Sequence, residues 1–95
     1  MDDLVHWKLE AKGIVQGVGY RARCESAAEE FGLVGSVWND PHSLNTVHIE
    51  IQGSKARIES FMRSISGRRG LSDAKSVSVV GEFTVNPELS SFSGR

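Results

Sequence analysis

The sequence predicts an α+β domain in which two helices cover one face of an antiparallel sheet. Its 95 residues are enough for one hydrophobic core and too few for two. Hydrophobic residues make up 39% of the chain and charged residues 24%, a balance typical of a folded protein. Segments with a two-residue apolar period and segments with helical spacing follow one another in the order β-α-β-β-α-β. This order is the split βαβ, or ferredoxin-like, arrangement.

The first strand and the first helix are predicted on either side of a glycine-rich loop. Apolar and polar side chains alternate in residues 5–11, which indicates a strand with one buried face. Residues 16–19 contain two glycines and favour a loop. Apolar residues then recur at helical spacing from Tyr20 to Phe31. Gly32 follows directly, where a helix favours a residue free to adopt positive φ, so we expect the helix to end there.

The middle of the chain predicts a hairpin. Residues 33–39 form a candidate second strand, which ends at Asp40-Pro41 because proline lacks an N–H and favours extended geometry in the residue before it. Residues 47–51 show the most regular alternation in the chain and predict the third strand.

The remaining segment predicts a second helix and one or two short strands. Residues 67–70 are predicted to be the frayed end of this helix, where Arg68 and Arg69 complement its dipole. Residues 77–85 favour short strands, and the serine-rich residues 86–95 are predicted to be a frayed tail of a single domain that covers residues 1–95. The helix is marked by four apolar residues at helical spacing, Ile58, Phe61, Met62 and Ile65.

Charge and cysteine content exclude several classes of partner and site. A net charge of −1 gives no global positive field for nucleic acid or anionic lipid. The single cysteine, Cys24, cannot form an internal disulfide, and no Cys/His spacing suits zinc. The chain has neither a basic start followed by an apolar run nor a membrane-length apolar segment. We therefore expect a cytoplasmic monomer without metal or cofactor and with no nucleic-acid or membrane partner.

The same strand and helix spacings predict which of several side chains are buried and which are exposed. Cys24 shares the apolar helical spacing and Trp7 the apolar strand spacing, so both are predicted core residues. Trp38 lies on the opposite strand face and is predicted to be partly exposed, a weak indication of contact with an acyl group. Because they fall on polar strand positions or in a loop, three residues are predicted to face solvent, namely His6, His42 and His48.

The loop before the first helix has the chemistry of a phosphate cradle. Three glycines, Gly13, Gly17 and Gly19, precede a helix N-terminus, where free backbone N–H groups and the helix dipole favour an anion. Arg21 lies in the first helical turn, and its planar guanidinium suits two oxygens of one phosphate. The spacing fits neither a Walker A loop nor a dinucleotide-binding fingerprint. From the residues alone, a phosphate cradle and a merely flexible turn both stay open.

Residues 13–21 and 32–39 resemble the two signature motifs of the acylphosphatase family. The resemblance implies a metal-free hydrolase that splits the anhydride between a carboxylic acid and phosphate. It further implies that Arg21 binds the phosphoryl group and that Asn39, at the end of the second motif, positions the attacking water. The backbone amides that would assist Arg21 belong to Gln16, Gly17, Val18, Gly19 and Tyr20.

Two departures from the family pattern leave other functions open. The turn at residues 40–46 is longer than usual and has no glycine, and residues 86–95 extend past the last expected strand. The main alternative is a non-catalytic, anion-binding regulatory domain of the same fold. An RNA-binding module and a domain of a larger carbamoyl-phosphate-handling protein are further alternatives, although the polar sheet face lacks an aromatic pair for stacking bases.

Overall fold

The computed structural model describes residues 3–95, so Met1 and Asp2, where the predicted domain begins, lie outside it. The elements in chain order are β1 (Leu4–Ile14), α1 (Tyr20–Glu30), β2 (Val34–Asn39), β3 (Thr46–Ser54), α2 (Lys55–Ser64), β4 (Gly67–Arg69), β5 (Ser72–Phe83) and β6 (Phe92–Gly94). Two helices pack on a six-stranded sheet of order β4-β5-β1-β3-β2-β6, which confirms the predicted α+β class.

The core lies between the two helices and one face of the sheet. The strands contribute alternate residues such as Leu9 and Ile49, and the helices contribute Cys24 and Phe61, all fully buried. Trp7 packs against the edge of this core and is only partly buried, because its indole N–H donates to the exposed carboxylate of Glu82 at 3.0 Å. Within the described residues, neither helix has the length and apolarity needed to cross a membrane.

The segment after α2 is more regular than the sequence predicts. Residues 67–69 form β4, which pairs antiparallel with the start of β5, and β5 continues as one strand of 12 residues. The predictions of a frayed helix end at residues 67–70 and of one or two short final strands are therefore wrong. Gly67 and Gly70 have φ of 75° and 59°, and these left-handed conformations let the chain reverse into a hairpin.

Arg23 joins α1 to this hairpin. One guanidinium nitrogen donates to the carbonyl of Gly67 at 2.9 Å, and the other donates to the carbonyl of Ser66 at 2.8 Å and of Ser64 at 3.1 Å. These carbonyls belong to the last residue of α2 and to the segment that follows it, where a helix leaves its acceptors without internal partners. The contact fixes the end of α2 against the helix that begins at the glycine loop.

The frayed tail predicted for residues 86–95 is wrong. Residues 92–94 form β6, which pairs parallel with β2 and makes the sheet mixed. The ring of Phe92 lies 6.2 Å from that of Phe61 on the helix side. Asn86 is held by Gln52, whose side-chain oxygen accepts from the Asn86 N–H at 2.7 Å and whose nitrogen donates to its carbonyl at 2.8 Å. One aromatic side chain and these polar contacts are sufficient to order a serine-rich segment.

The sheet face away from the helices is less open than its polar residues predict. His6 is 5% exposed, since its Nε2 lies 2.6 Å from a carboxylate oxygen of Glu50 and its Nδ1 lies 2.9 Å from the carbonyl of Thr84. His48 is partly buried, whereas His42 is exposed in its turn. The prediction of solvent exposure is therefore wrong for His6 and His48 and confirmed for His42.

Candidate active site

The loop between β1 and α1 has the backbone conformation of an anion cradle. Gly17 and Gly19 have φ of 73° and 79°, in the left-handed region that favours glycine. Gly19 is also the N-cap of α1, and no side chain caps this helix end. A Cβ at either position would meet no atom within 4 Å, so the backbone dihedral and not the available space demands glycine. Such turns direct successive N–H groups toward one point.

A cavity of about 360 Å³ opens beside this loop. It runs from the glycine loop across the first turn of α1 to the end of β6. The helix N-terminus on one wall gives it a positive backbone potential, and the carboxylate of Glu25 lies on another wall. The lining residues are Val15, Gly17, Gly19, Tyr20, Arg21, Ala22, Glu25, Gly94 and Arg95.

Arg21 lies exposed in the first turn of α1, as the sequence predicts. Its guanidinium donates to a backbone oxygen of Arg95. Among the described residues it forms no ion pair with a side-chain carboxylate, Glu25 one turn later included. The bond to Arg95 orients one side of the guanidinium, and the remaining N–H donors are left for an anionic ligand.

Arg95 is the residue of this site that the sequence did not reveal. Its backbone N–H donates to the carbonyl of Val37 at 2.8 Å, and its guanidinium donates to Ser36 Oγ at 2.8 Å. The same guanidinium lies 4.2 Å from the ring centroid of Trp38. Trp38 is partly exposed, as predicted, although Arg95 covers one side of its ring. A segment expected to fray therefore supplies a wall of the cavity and the acceptor for Arg21.

The side chain of Gln16 points away from the cavity. Its amide nitrogen lies 3.2 Å from the carbonyl of Asp40, 2.9 Å from that of Ser43 and 2.8 Å from that of Thr46. Gln16 thus joins the glycine loop to the turn at residues 40–46, a contact that the sequence did not predict. The long turn, which lacks glycine, is held against the loop by one amide group.

Asn39 ends β2, one residue before the turn that Gln16 contacts. Its side-chain oxygen is buried without a hydrogen-bond partner among the described residues. A buried oxygen in that state loses solvation without compensation, which marks it as a candidate acceptor for a bound molecule. Of the predicted site residues, Gly17, Gly19, Tyr20 and Arg21 line the cavity, whereas Gln16, Val18 and Asn39 do not.

Two polar groups near the start of α1, the Tyr20 hydroxyl and the Cys24 thiol, are buried in the core. The hydroxyl of Tyr20 donates to the carbonyl of Ile65 at 2.8 Å, and burial raises its pKa above the usual range of a tyrosine. Burial likewise raises the pKa of the Cys24 thiol to about 12, so it is not a reactive thiolate at neutral pH. The predicted core role of Cys24 is confirmed.

Comparison with known proteins gives one family. A model of the Acylphosphatase family matches residues 7–93. An acylphosphatase from Lactobacillus gasseri is 32% identical over 82 residues, which cover 80% of this chain and 88% of that protein. An acylphosphatase from Synechococcus sp. is 42% identical over 52 residues, which cover 55% of this chain and 43% of that protein.

The solved structures agree with the sequence comparisons. The crystal structure of acylphosphatase from Bacillus subtilis matches with a TM-score of 0.84 and 25% identity, covering 96% of this chain and 98% of that chain. The chain belongs to the acylphosphatase family, a family of enzymes that hydrolyse acyl phosphates.

Proposed function

We propose that this chain hydrolyses small acyl phosphates to a carboxylate and inorganic phosphate, with the phosphoryl group bound in the cavity beside the glycine loop. One observation carries the proposal: the left-handed glycines, the uncapped N-terminus of α1 and the guanidinium of Arg21 meet at a single cavity. The backbone amides of residues 16–20 and Arg21 would together bind the phosphoryl oxygens. No metal or cofactor has a part in this scheme.

The chemistry requires little from the protein beyond position and charge. Water attacks phosphorus, a new P–O bond forms, and the bond between phosphorus and the acyl oxygen breaks. The leaving group is a carboxylate, which is stable without a proton from the enzyme. The charge that spreads over the three equatorial phosphoryl oxygens is stabilised by fixed N–H donors. One such donor contributes roughly 3–4 kcal/mol to lowering the barrier, by analogy with oxyanion holes.

Asn39 is proposed to orient the attacking water. An amide is not a base at neutral pH, so its unpartnered oxygen would accept a hydrogen bond from water without taking the proton. A phosphoryl oxygen of the substrate itself then receives the proton. Gln16 supports this placement, because it bonds to the carbonyl of the residue that follows Asn39.

We further propose that the protein acts as a cytoplasmic monomer. The only cysteine is buried and unpaired, which suits a reducing compartment. The proposed chemistry requires no residue from a second copy of the chain. Light scattering during size-exclusion chromatography measures the mass in solution, and a dimer would contradict the monomer.

Hydrolysis of benzoyl phosphate, with carbamoyl phosphate as a second substrate, tests the function. We expect Arg21→Gln to lower turnover by at least about a hundredfold while the circular dichroism spectrum stays that of the wild type, because Arg21 is exposed. Arg63→Gln, at an exposed position of α2, is the matched control and should keep full activity. Activity should also persist in excess chelator. Wild-type turnover by Arg21→Gln, or loss of activity on chelation, would contradict the proposal.

A further inference from the structure

Lys8, His48 and Asp40 form a continuous chain of hydrogen bonds on the sheet face away from the helices. The ammonium of Lys8 lies 2.7 Å from Nδ1 of His48, and Nε2 of His48 lies 2.7 Å from a carboxylate oxygen of Asp40. An ammonium has donors only, so Nδ1 accepts and Nε2 carries the proton that is donated to Asp40. The two partners thereby select one tautomer of a neutral imidazole.

Charged and aromatic side chains surround His48 on this face of the sheet. β1 presents Lys8 and Glu10, whose carboxylate lies 3.9 Å from Nδ1. β2 presents Trp38, stacked on the imidazole at 5.6 Å, with the guanidinium of Arg95 on its ring. These neighbours hold the imidazole in the orientation in which Nε2 meets Asp40.

Asp40 transmits the position of His48 to the turn at residues 40–46. Its second carboxylate oxygen accepts the backbone N–H groups of His42 at 2.8 Å and Ser43 at 2.9 Å. No residue of this turn has positive φ, so the carboxylate closes a turn that glycine does not. The backbone carbonyls of this turn accept the hydrogen bonds from the side-chain amide of Gln16. The imidazole is therefore connected through one side chain and one turn to the glycine loop.

We propose that His48 is a positioning residue of the active site, which through Asp40 and the turn at residues 40–46 sets the placement of Asn39 and of Gln16. The inference deepens the proposed acyl phosphate hydrolysis and rests on it. The imidazole holds the turn in place through its hydrogen bond to Asp40, and Lys8 fixes the imidazole in that orientation. His48 touches neither the phosphoryl group nor the attacking water, so its effect is indirect.

Three variants separate positioning from folding. His48→Leu removes both hydrogen bonds and should lower kcat/KM about tenfold, the change expected when roughly one net hydrogen bond is lost. His48→Gln keeps one donor and one acceptor and should recover most of the loss. His42→Leu makes the same change at an exposed position of the same turn and should resemble the wild type. Equal kcat/KM in His48→Leu and His42→Leu would overturn the proposal.

Recovery in His48→Gln is a readout that a merely structural side chain would not give. Glutamine restores a donor and an acceptor without the shape of the imidazole, so kcat/KM should return toward the wild-type value while Tm stays unchanged. A His48→Gln variant as slow as His48→Leu would contradict the positioning role.

A measurement without turnover keeps this inference separate from the proposed function. Amide NMR signals of residues 16–19 and the side-chain amide of Gln16 should shift in His48→Leu and stay in place in His42→Leu, with or without inorganic phosphate. Inactivity of the wild type toward both substrates would contradict the proposed function alone. Unshifted loop signals in His48→Leu would contradict the positioning role alone.

Discussion

Arg21 and Arg95 both line the cavity, but their guanidinium groups have different surroundings. That of Arg21 is exposed and bonds a backbone oxygen. That of Arg95 lies on the Trp38 ring and bonds Ser36 Oγ. A guanidinium that stacks on an aromatic ring and donates to a hydroxyl is already engaged. We therefore assign ligand binding to Arg21 and a supporting position to Arg95.

Replacement of Asn39 separates water positioning from phosphate binding. In Asn39→Ala we expect kcat to fall about a hundredfold, because the attacking water loses its orienting amide. The inhibition constant of inorganic phosphate should change less than about twofold, since the loop amides and Arg21 stay in place. Steady-state kinetics with phosphate as a competitive inhibitor measure both quantities.

The control for this experiment is Glu59→Ala, at an exposed position of α2. It should keep wild-type kcat. Equal losses of kcat and of phosphate affinity in Asn39→Ala would assign Asn39 to ligand binding instead.

The sequence predicted the residues of the site that are close together along the chain. Gly17, Gly19 and Arg21 belong to one short segment, so glycine content and one cation in the first helical turn indicated a candidate phosphate cradle. The resemblance of this segment to the acylphosphatase motif then favoured the cradle over a flexible turn. The contact between Arg21 and Arg95 spans 74 positions, and the contacts of Gln16 with the turn span 24–30 positions. Nothing in local spacing reports such contacts, because they depend on how β2 and β6 pair.

Gly35 shows how β2 depends on a residue without a side chain. Its φ is 141°, and a Cβ there would lie 1.9 Å from the carbonyl oxygen of Glu50 on β3. We expect Gly35→Ala to lower the free energy of unfolding by about 3 kcal/mol, since backbone strain and overpacking add. Urea denaturation measures the change.

Gly70→Ala is the matched control for the close approach at Gly35. Gly70 has φ of 59°, but a Cβ there would meet nothing within 4 Å, so a loss of only about 1 kcal/mol is expected. Equal losses in the two variants would show that strand contact adds nothing to the dihedral strain.

Phe92 anchors β6 to the core, in addition to the pairing of β6 with β2. Phe92 is partly buried against the core and contacts Phe61, so we expect Phe92→Ala to cost about 2 kcal/mol, less than full truncation of a buried phenylalanine. Turnover should fall as well, because the backbone oxygen that orients Arg21 lies directly after this strand. Thermal unfolding and benzoyl phosphate hydrolysis measure the two effects. Unchanged stability and turnover would contradict a role for β6.

At the level of elements, shortness explains why the sequence did not predict β4 and β6. β1, β3 and both helices are long enough for their apolar period to identify them. β4 and β6 have three residues each, which is too few for any period. Their pairing with β5 and β2 is fixed by tertiary contacts such as those of Arg23 and Phe92, which no local pattern contains.

Two carboxylates make the stability of the whole molecule depend on acid. A hydrogen bond from His48 lowers the pKa of Asp40, and a hydrogen bond from Lys75 at 2.7 Å lowers that of Asp73. Both groups therefore bind fewer protons in the folded state than in the unfolded chain. The stabilisation that these two carboxylates contribute is complete above a pH of about 3.9, the pKa of an aspartate in the unfolded chain. It is lost as the pH falls through the lower pKa values of the folded state.

Urea denaturation between about pH 2 and 6 tests this dependence. We expect the free energy of unfolding to fall on the acid side of this range, and the slope to be smaller in Asp73→Asn because one of the two groups no longer titrates. A slope equal to that of the wild type would contradict the contribution of Asp73.

The left-handed backbone at Gly17 and Gly19 has a consequence for mirror-image amino acids. D-Alanine prefers the positive dihedrals that L-alanine avoids, and both glycines have such dihedrals. A semisynthetic chain with D-alanine at one of these positions should keep every backbone N–H in place and restrict the unfolded ensemble. L-Alanine has room for its methyl group there but not the dihedral, so the loop should discriminate between the two enantiomers by backbone conformation alone.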